Sequence, residues 1–268
     1  MKVAALQMVS GTSVQGNLDI AGTLIRQAAE AGAQLAVLPE YFCLMGHKDS
    51  DKLTVREAPG AGPVQEFLAA SARDHGLWIA GGTLPLTGSD NDHVLNTSLV
   101  FTPKGEPVAR YDKIHLFRYD NGTEQYDESR VIERGSQPAA FDMIARDGKR
   151  WRIGMSVCYD LRFPELYRSL AADVLLVPSA FTYSTGKAHW ELLLRARAVE
   201  NLAFVIAAAQ GGLHENGRRT WGHSMVIDPW GVVLAQQAEG AGVVLADLDA
   251  ARQAQVRTQL PALEHRVL

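Results

Sequence analysis

Trp151-Arg152-Ile153-Gly154-Met155-Ser156-Val157-Cys158-Tyr159-Asp160-Leu161-Arg162 is the stretch whose reading decides the fold. Trp151, Ile153, Met155 and Val157 fall on alternate positions, the period-two spacing of a strand with a buried face. Helical spacing follows over residues 162–170. Cys158 therefore stands where a strand turns into a helix. A thiol at such an elbow faces free backbone N–H groups and the helix dipole, which lower its pKa and favour thiolate. The N–H of the next residue, Tyr159, would face a developing oxyanion. The plain alternative is a buried structural cysteine.

The same strand-to-helix pattern extends in both directions. Residues 2–8 and 35–38 read as buried strands, with a helix over 15–31 between them that Gly32 ends. A second helix is predicted over 63–75, opened by the Gly-rich Pro59-Gly60-Ala61-Gly62, and strands over 77–83 and 95–101. The turn Pro103-Lys104-Gly105-Glu106 predicts a hairpin to a strand over 107–111. Residues 117–138 are polar and poorly patterned, a length of loop that usually has a functional reason. Beyond Cys158 come strands over 174–177, 203–209, 221–227, 232–235 and 242–247, and helices over 186–201 and 249–260. Many apolar strands with about five helices predict a two-sheet sandwich with helices outside, in one domain covering residues 1–268.

Composition agrees with a globular chain: 47% hydrophobic, 21% charged and a net charge of −4. No basic stripe supports nucleic-acid binding; Arg218-Arg219 is the densest basic cluster outside helices and is too short to argue from. The longest apolar runs, such as 203–209, are far shorter than the ~18 residues of a membrane span. Residues 1–8 lack a signal-peptide core, and two cysteines make no disulfide framework, so a cytoplasmic protein is expected. No zinc-type spacing and no phosphate loop is visible, so no metal or other cofactor is expected.

A cysteine hydrolase needs a base. None of the eight histidines is decisive; His115, His189 and His223 are each compatible with core or surface roles. Two other ionisable residues stand at strand ends. Glu40 follows Leu35-Ala36-Val37-Leu38-Pro39, and Lys113 follows Arg110-Tyr111-Asp112.

Taken in order, Leu38-Pro39-Glu40, Tyr111-Asp112-Lys113-Ile114-His115-Leu116 and Cys158-Tyr159-Asp160-Leu161-Arg162-Phe163-Pro164-Glu165 closely resemble the three signatures of the nitrilase superfamily, the carbon–nitrogen hydrolases. The resemblance runs over nearly the whole chain, through Pro178-Ser179-Ala180-Phe181, His189-Trp190 and Gly222-His223-Ser224. It implies a four-layer αββα sandwich that forms homodimers or larger homo-oligomers. It also implies a catalytic set in which Glu40 is the general base, Cys158 the nucleophile and Lys113 the stabiliser of the tetrahedral intermediate. Glu128, in Tyr126-Asp127-Glu128-Ser129, matches the family's second glutamate, which positions the lysine and the substrate.

The cysteine motif looks like that of the Nit branch, which contains deaminated glutathione amidases and ω-amidases. In that branch Arg162 would bind a substrate carboxylate, suited by its planar fork of donors, and Phe181 would line the pocket. The runs Ala207-Ala208-Ala209-Gln210-Gly211-Gly212-Leu213-His214 and Leu260-Pro261-Ala262-Leu263-Glu264-His265-Arg266 resemble the deaminated glutathione amidases more. The resemblance thus implies a small amide substrate cleaved to 2-oxoglutarate and cysteinylglycine. The alternatives are an ω-amidase acting on 2-oxoglutaramate or succinamate, and a sandwich that binds without catalysis. Residues 167–173 look a few residues shorter than the family's usual helix-to-strand connection.

Overall fold

In the computed structural model, which describes residues 1–267, two sheets lie at the centre of the chain. The first has eight strands. Its main path runs Gly242–Asp247, Lys2–Gln7, Leu35–Val37, Trp78–Ala80, Val94–Phe101 and Leu84–Thr87. Pro107–Asp112 and Ile132–Glu133 pair with the long strand Val94–Phe101. The second sheet has six strands in the order Ala139–Ile144, Arg150–Met155, Val174–Leu176, Phe204–Ala207, Ser224–Ile227 and Val233–Gln237. Each sheet has a parallel centre and antiparallel edges.

Alternation within the first strand shows how the layers form. Ala4 and Leu6 pack with Leu18, Ile25 and Leu68 of the helices Val14–Glu30 and Pro63–His75. Val3 and Ala5 point the other way and join the core of the second sheet, with Met155 and Ile206. The helices Pro164–Leu170 and Tyr183–Asn201 contact the second sheet in turn. The order is helix, sheet, sheet, helix: the αββα sandwich. Val174, Leu175 and Leu176 are all buried, as a strand covered on both faces requires.

Helix ends follow the local signals. Ser13 accepts from the Gly16 N–H at 3.3 Å, and Pro63 opens the helix that Gly76 closes in the left-handed region at φ +59°. Several boundaries differ from the sequence reading. The strand expected over 221–227 begins only at Ser224, because Gly222 and His223 adopt φ +72° and +55° and break the extended backbone. Arg219–Trp221 pairs instead with Gly211–Leu213. The helix expected over 162–170 is a tight 3₁₀ turn, Cys158–Arg162, and then a helix from Pro164, which cannot continue the preceding hydrogen-bond pattern. The stretch read as loop contains the paired strands Arg118–Asp120 and Gln125–Asp127. The short connection over 167–173 closes through a left-handed Ala171, φ +47°, and Asp173 then accepts from the Arg152 N–H at 3.0 Å and Arg257 Nη1 at 2.7 Å.

Candidate active site

Glu40, Lys113 and Cys158 each lie just past the end of a strand, and the two sheets bring those ends together. Glu40 is buried, 1% exposed. Its Oε1 accepts from Lys113 Nζ and from Asn96 Nδ2, both at 2.9 Å, and its Oε2 accepts from the Ala180 N–H at 2.9 Å. Lys113 Nζ also donates to Glu128 Oε1 at 2.9 Å and Oε2 at 2.8 Å. Glu128 is held in turn by the Tyr41 hydroxyl and the Phe117 N–H, each at 2.7 Å. One buried ammonium thus sits between two carboxylates, with every polar atom of Lys113 and Glu128 directed.

The electrostatics follow from that count. Burial opposes the Lys113 ammonium, but Glu128 and Glu40 outweigh it and hold its pKa above the usual lysine value. Burial likewise works against the Glu128 carboxylate, and Lys113 beside it overcomes this and lowers its pKa. Cys158 differs from the sequence expectation. Its thiol pKa is pushed well above the ordinary value, by burial first, then by the Glu40 charge, with Lys113 opposing. The short 3₁₀ turn supplies too little dipole to offset desolvation beside a carboxylate. With its pKa raised well above the ordinary value, Cys158 rests as a thiol, so its ionisation has to be coupled to proton transfer.

The backbone holds both partners in strained positions. Cys158 adopts φ +49° and Tyr41, directly after Glu40, φ +57°. A non-glycine residue there costs ~1–3 kcal/mol. The Cys158 N–H donates to the Pro178 carbonyl at 3.0 Å and the Tyr41 N–H to Thr83 Oγ1 at 2.9 Å, which fixes each turn.

Asp160 ties the cysteine motif to the lysine motif. It is fully buried, and its carboxylate accepts from the Tyr111 hydroxyl and His115 Nδ1, both at 2.7 Å, from the Val157 N–H at 2.8 Å and from the His115 N–H at 3.1 Å. His115 also stacks on Phe163 at 3.6 Å, so it supports the turn and does not line the cavity at the nucleophile. His189 approaches Arg162, and His223 stacks on Trp221. No histidine lines that cavity; its ionisable lining residues besides Cys158 and Tyr159 are Glu40, Glu128 and Arg218.

Cys158, Glu40, Glu128, Tyr159 and Phe181 line the cavity, and Lys113 lies behind the two carboxylates without lining it. Arg162 does not line it; its guanidinium lies over the rings of Phe181 and Tyr159, 5.7 and 5.9 Å from their centroids. Phe117, Thr185 and Arg218 also line it, and the sequence reading gave none of them a role. For Arg218 the signal was its place in the hairpin between Gly217 and Gly222, read only as a basic pair. Among the described residues no group of three or more His, Cys, Asp or Glu side chains is arranged to hold a metal ion.

The sandwich and its buried carboxylate–ammonium–thiol set define a cysteine-dependent hydrolase. The family model described as carbon–nitrogen hydrolase matches residues 2–258, and the chain belongs to that family. It is 42% identical to a deaminated glutathione amidase of Synechocystis over 98% of this chain and 97% of that protein. It is 40% identical to a human protein of the same name, over 98% of this chain and 81% of that one. Among solved structures, Saccharomyces cerevisiae Nit3, a member of branch 10 of the nitrilase superfamily, superposes with a TM-score of 0.88 at 29% identity, over 100% and 97% of the two chains.

Proposed function

We propose that residues 1–268 act as one amidase domain that hydrolyses deaminated glutathione through a thioester on Cys158. The observation that carries this reading is the Lys113 ammonium held between Glu40 and Glu128 beside a protonated, buried thiol.

The steps follow from the charges. As sulfur attacks the amide carbon, Glu40 takes the thiol proton, so thiolate never stands free in a site that disfavours it. The oxyanion that forms faces the Lys113 ammonium and the Tyr159 N–H, in a water-poor pocket where both count most. Glu40 passes its proton to the leaving nitrogen, the amine departs and the thioester remains. Glu40 then deprotonates a water that attacks the thioester carbon; the thiolate leaves and recovers the proton. Glu128 holds Lys113 in place and keeps it charged, and from the cavity wall it helps to position the substrate. Arg162 is assigned the carboxylate of the oxo-acid end, and Phe181 the wall beside it. With deaminated glutathione the products are 2-oxoglutarate and cysteinylglycine, the reaction for which the Synechocystis and human relatives are named.

The site of action is assigned to the cytoplasm and the assembly to a homodimer. Both cysteines are free, and among the described residues no helix is long and apolar enough to cross a membrane. The helix Tyr183–Asn201 leaves Leu192 and Val199 exposed on its outer side, apolar surface of the kind a subunit contact covers.

The test is 2-oxoglutarate release from deaminated glutathione and, separately, from 2-oxoglutaramate, with a Cys158→Ala variant alongside. Faster release from deaminated glutathione, lost in the variant, supports the proposal. Preference for 2-oxoglutaramate would reassign the substrate, and release from neither would overturn the amidase reading.

A further inference from the structure

The cavity at Cys158 has a volume of about 20 Å³, room for about one water. A second cavity of about 420 Å³ adjoins it, within the range of small-ligand pockets, roughly 300–1,000 Å³. Arg218 lines both. So one side chain forms part of the wall of both cavities.

Its chemistry is cationic. His47, Lys48, Lys52 and Arg218 line it, against one carboxylate, Asp49. Lys52 pairs with Asp49 at 3.2 Å and neutralises it. Among the described residues neither Lys48 nor Arg218 has an acidic partner within ion-pair distance. Arg218 is placed firmly all the same: its guanidinium lies over the Tyr126 ring at 5.1 Å, and Nη2 donates to the Ala180 carbonyl at a long 3.4 Å. Its Nε is buried without a hydrogen-bond partner. A buried donor on a permanent cation normally finds an acceptor. Here the residue that carries it lines both the larger cavity and the one at Cys158.

We infer that this cavity is the leaving-group subsite, and that Arg218, with Lys48 at the rim, takes the terminal carboxylate of a dipeptide-like amine leaving group. The inference rests on the amidase reading above. It divides the substrate's two charges between two arginines on different sides of the nucleophile cavity: Arg162, over Phe181 and Tyr159, for the acyl end, and Arg218, over Tyr126, for the departing end. It also explains how an enzyme with so little space at the nucleophile would accept a substrate much longer than 2-oxoglutaramate.

The test is calorimetric titration of the intact enzyme with cysteinylglycine and with its C-terminal amide. The acid should bind about tenfold more tightly than the amide, the size expected of a charge-assisted pair. Arg218→Gln should bring that ratio close to one, and Lys48→Gln, at an exposed position, should lower it in part. Arg218→Met, which keeps the length of the side chain and removes its charge, serves if the glutamine variant does not fold. Equal binding of acid and amide by the wild-type enzyme, no measurable binding of either, or a full ratio in folded Arg218 variants would overturn the inference. Turnover separates the two claims. Acid-selective binding without hydrolysis of deaminated glutathione would sink the substrate assignment and leave the subsite; hydrolysis without acid-selective binding would do the reverse.

Discussion

The Tyr111 hydroxyl donates to the carboxylate of Asp160 at 2.7 Å, and this bond locks the strand that carries Lys113 to the turn that carries Cys158. Tyr111 lies in a strand of the first sheet and Asp160 in the turn that follows a strand of the second, 49 positions apart in sequence. Asp160 accepts three further bonds from Val157 and His115. Asp160→Ala would leave those donors buried and unpaired, at a cost of about 3 kcal/mol or more. Tyr111→Phe, which removes one donor and leaves the rest, should cost about 1 kcal/mol. Denaturant unfolding of the two variants checks the order.

Glu40 has two opposite effects on Cys158, and a single substitution separates them. As general base it should be worth roughly a hundred- to ten-thousand-fold in kcat. As a neighbouring charge it raises the thiol pKa. Glu40→Gln should therefore suppress hydrolysis while shifting the pH profile of Cys158 alkylation to lower pH. An alkylation profile that moves up, or stays, would contradict the electrostatic account.

Removing the central cation should be worse than removing either anion. Lys113→Met leaves Glu40 and Glu128 buried together without a counter-charge, a loss of about 3–5 kcal/mol in stability with activity abolished. Glu128→Gln keeps the hydrogen bonds' geometry and should lower kcat with a smaller loss of stability. Melting curves and rates measured on the same preparations test the ranking.

Stability should fall on the alkaline side because of the thiols. Burial, then the Glu57 charge, pushes Cys43 up to about 12, and Cys158 is also raised. Above about pH 8.5 the unfolded chain releases thiol protons that the folded chain keeps. Each buried thiol then removes about 1.4 kcal/mol of stability per pH unit until its folded pKa is passed. Below about pH 8.5 the contribution is complete. Cys43→Ala should flatten this limb in a pH series of unfolding curves, whatever it does to stability at neutral pH.

Arg162 lies beside the cavity at the nucleophile and not in its wall, so its assigned role makes a specific demand. Arg162→Gln should raise KM about tenfold or more for both deaminated glutathione and 2-oxoglutaramate, which share the oxo-acid carboxylate. A loss confined to deaminated glutathione would move Arg162 to the leaving-group side.

What could be read from the sequence was whatever local pattern controls. Pro63 and Gly76 bound a helix whose limits follow from their own backbone preferences, and the alternation from Trp151 to Val157 named a strand and its buried face. The catalytic triad of Glu40, Lys113 and Cys158 came from three motifs at strand ends, which a resemblance over the chain put together. What escaped depends on contacts between distant residues. The raised thiol pKa needs the burial of Cys158 and the charge of Glu40, 118 positions away, neither of which the elbow itself predicts. Arg218 carried no assignment beyond a short basic pair because its neighbours in the fold, Tyr126, Met45 and Ala180, are remote in sequence. The break before Ser224 depends on a left-handed His223, a conformation that histidine rarely takes.

The central claim is covalent chemistry at Cys158, and rapid-quench mass spectrometry addresses it most directly. Enzyme mixed with deaminated glutathione and quenched in acid should carry a 2-oxoglutaryl adduct that peptide mapping places on Cys158, with none on Cys43. The Cys158→Ala protein should carry no adduct and release no 2-oxoglutarate. An adduct at another residue, or a Cys158→Ala protein that turns over at the wild-type rate, would contradict the account.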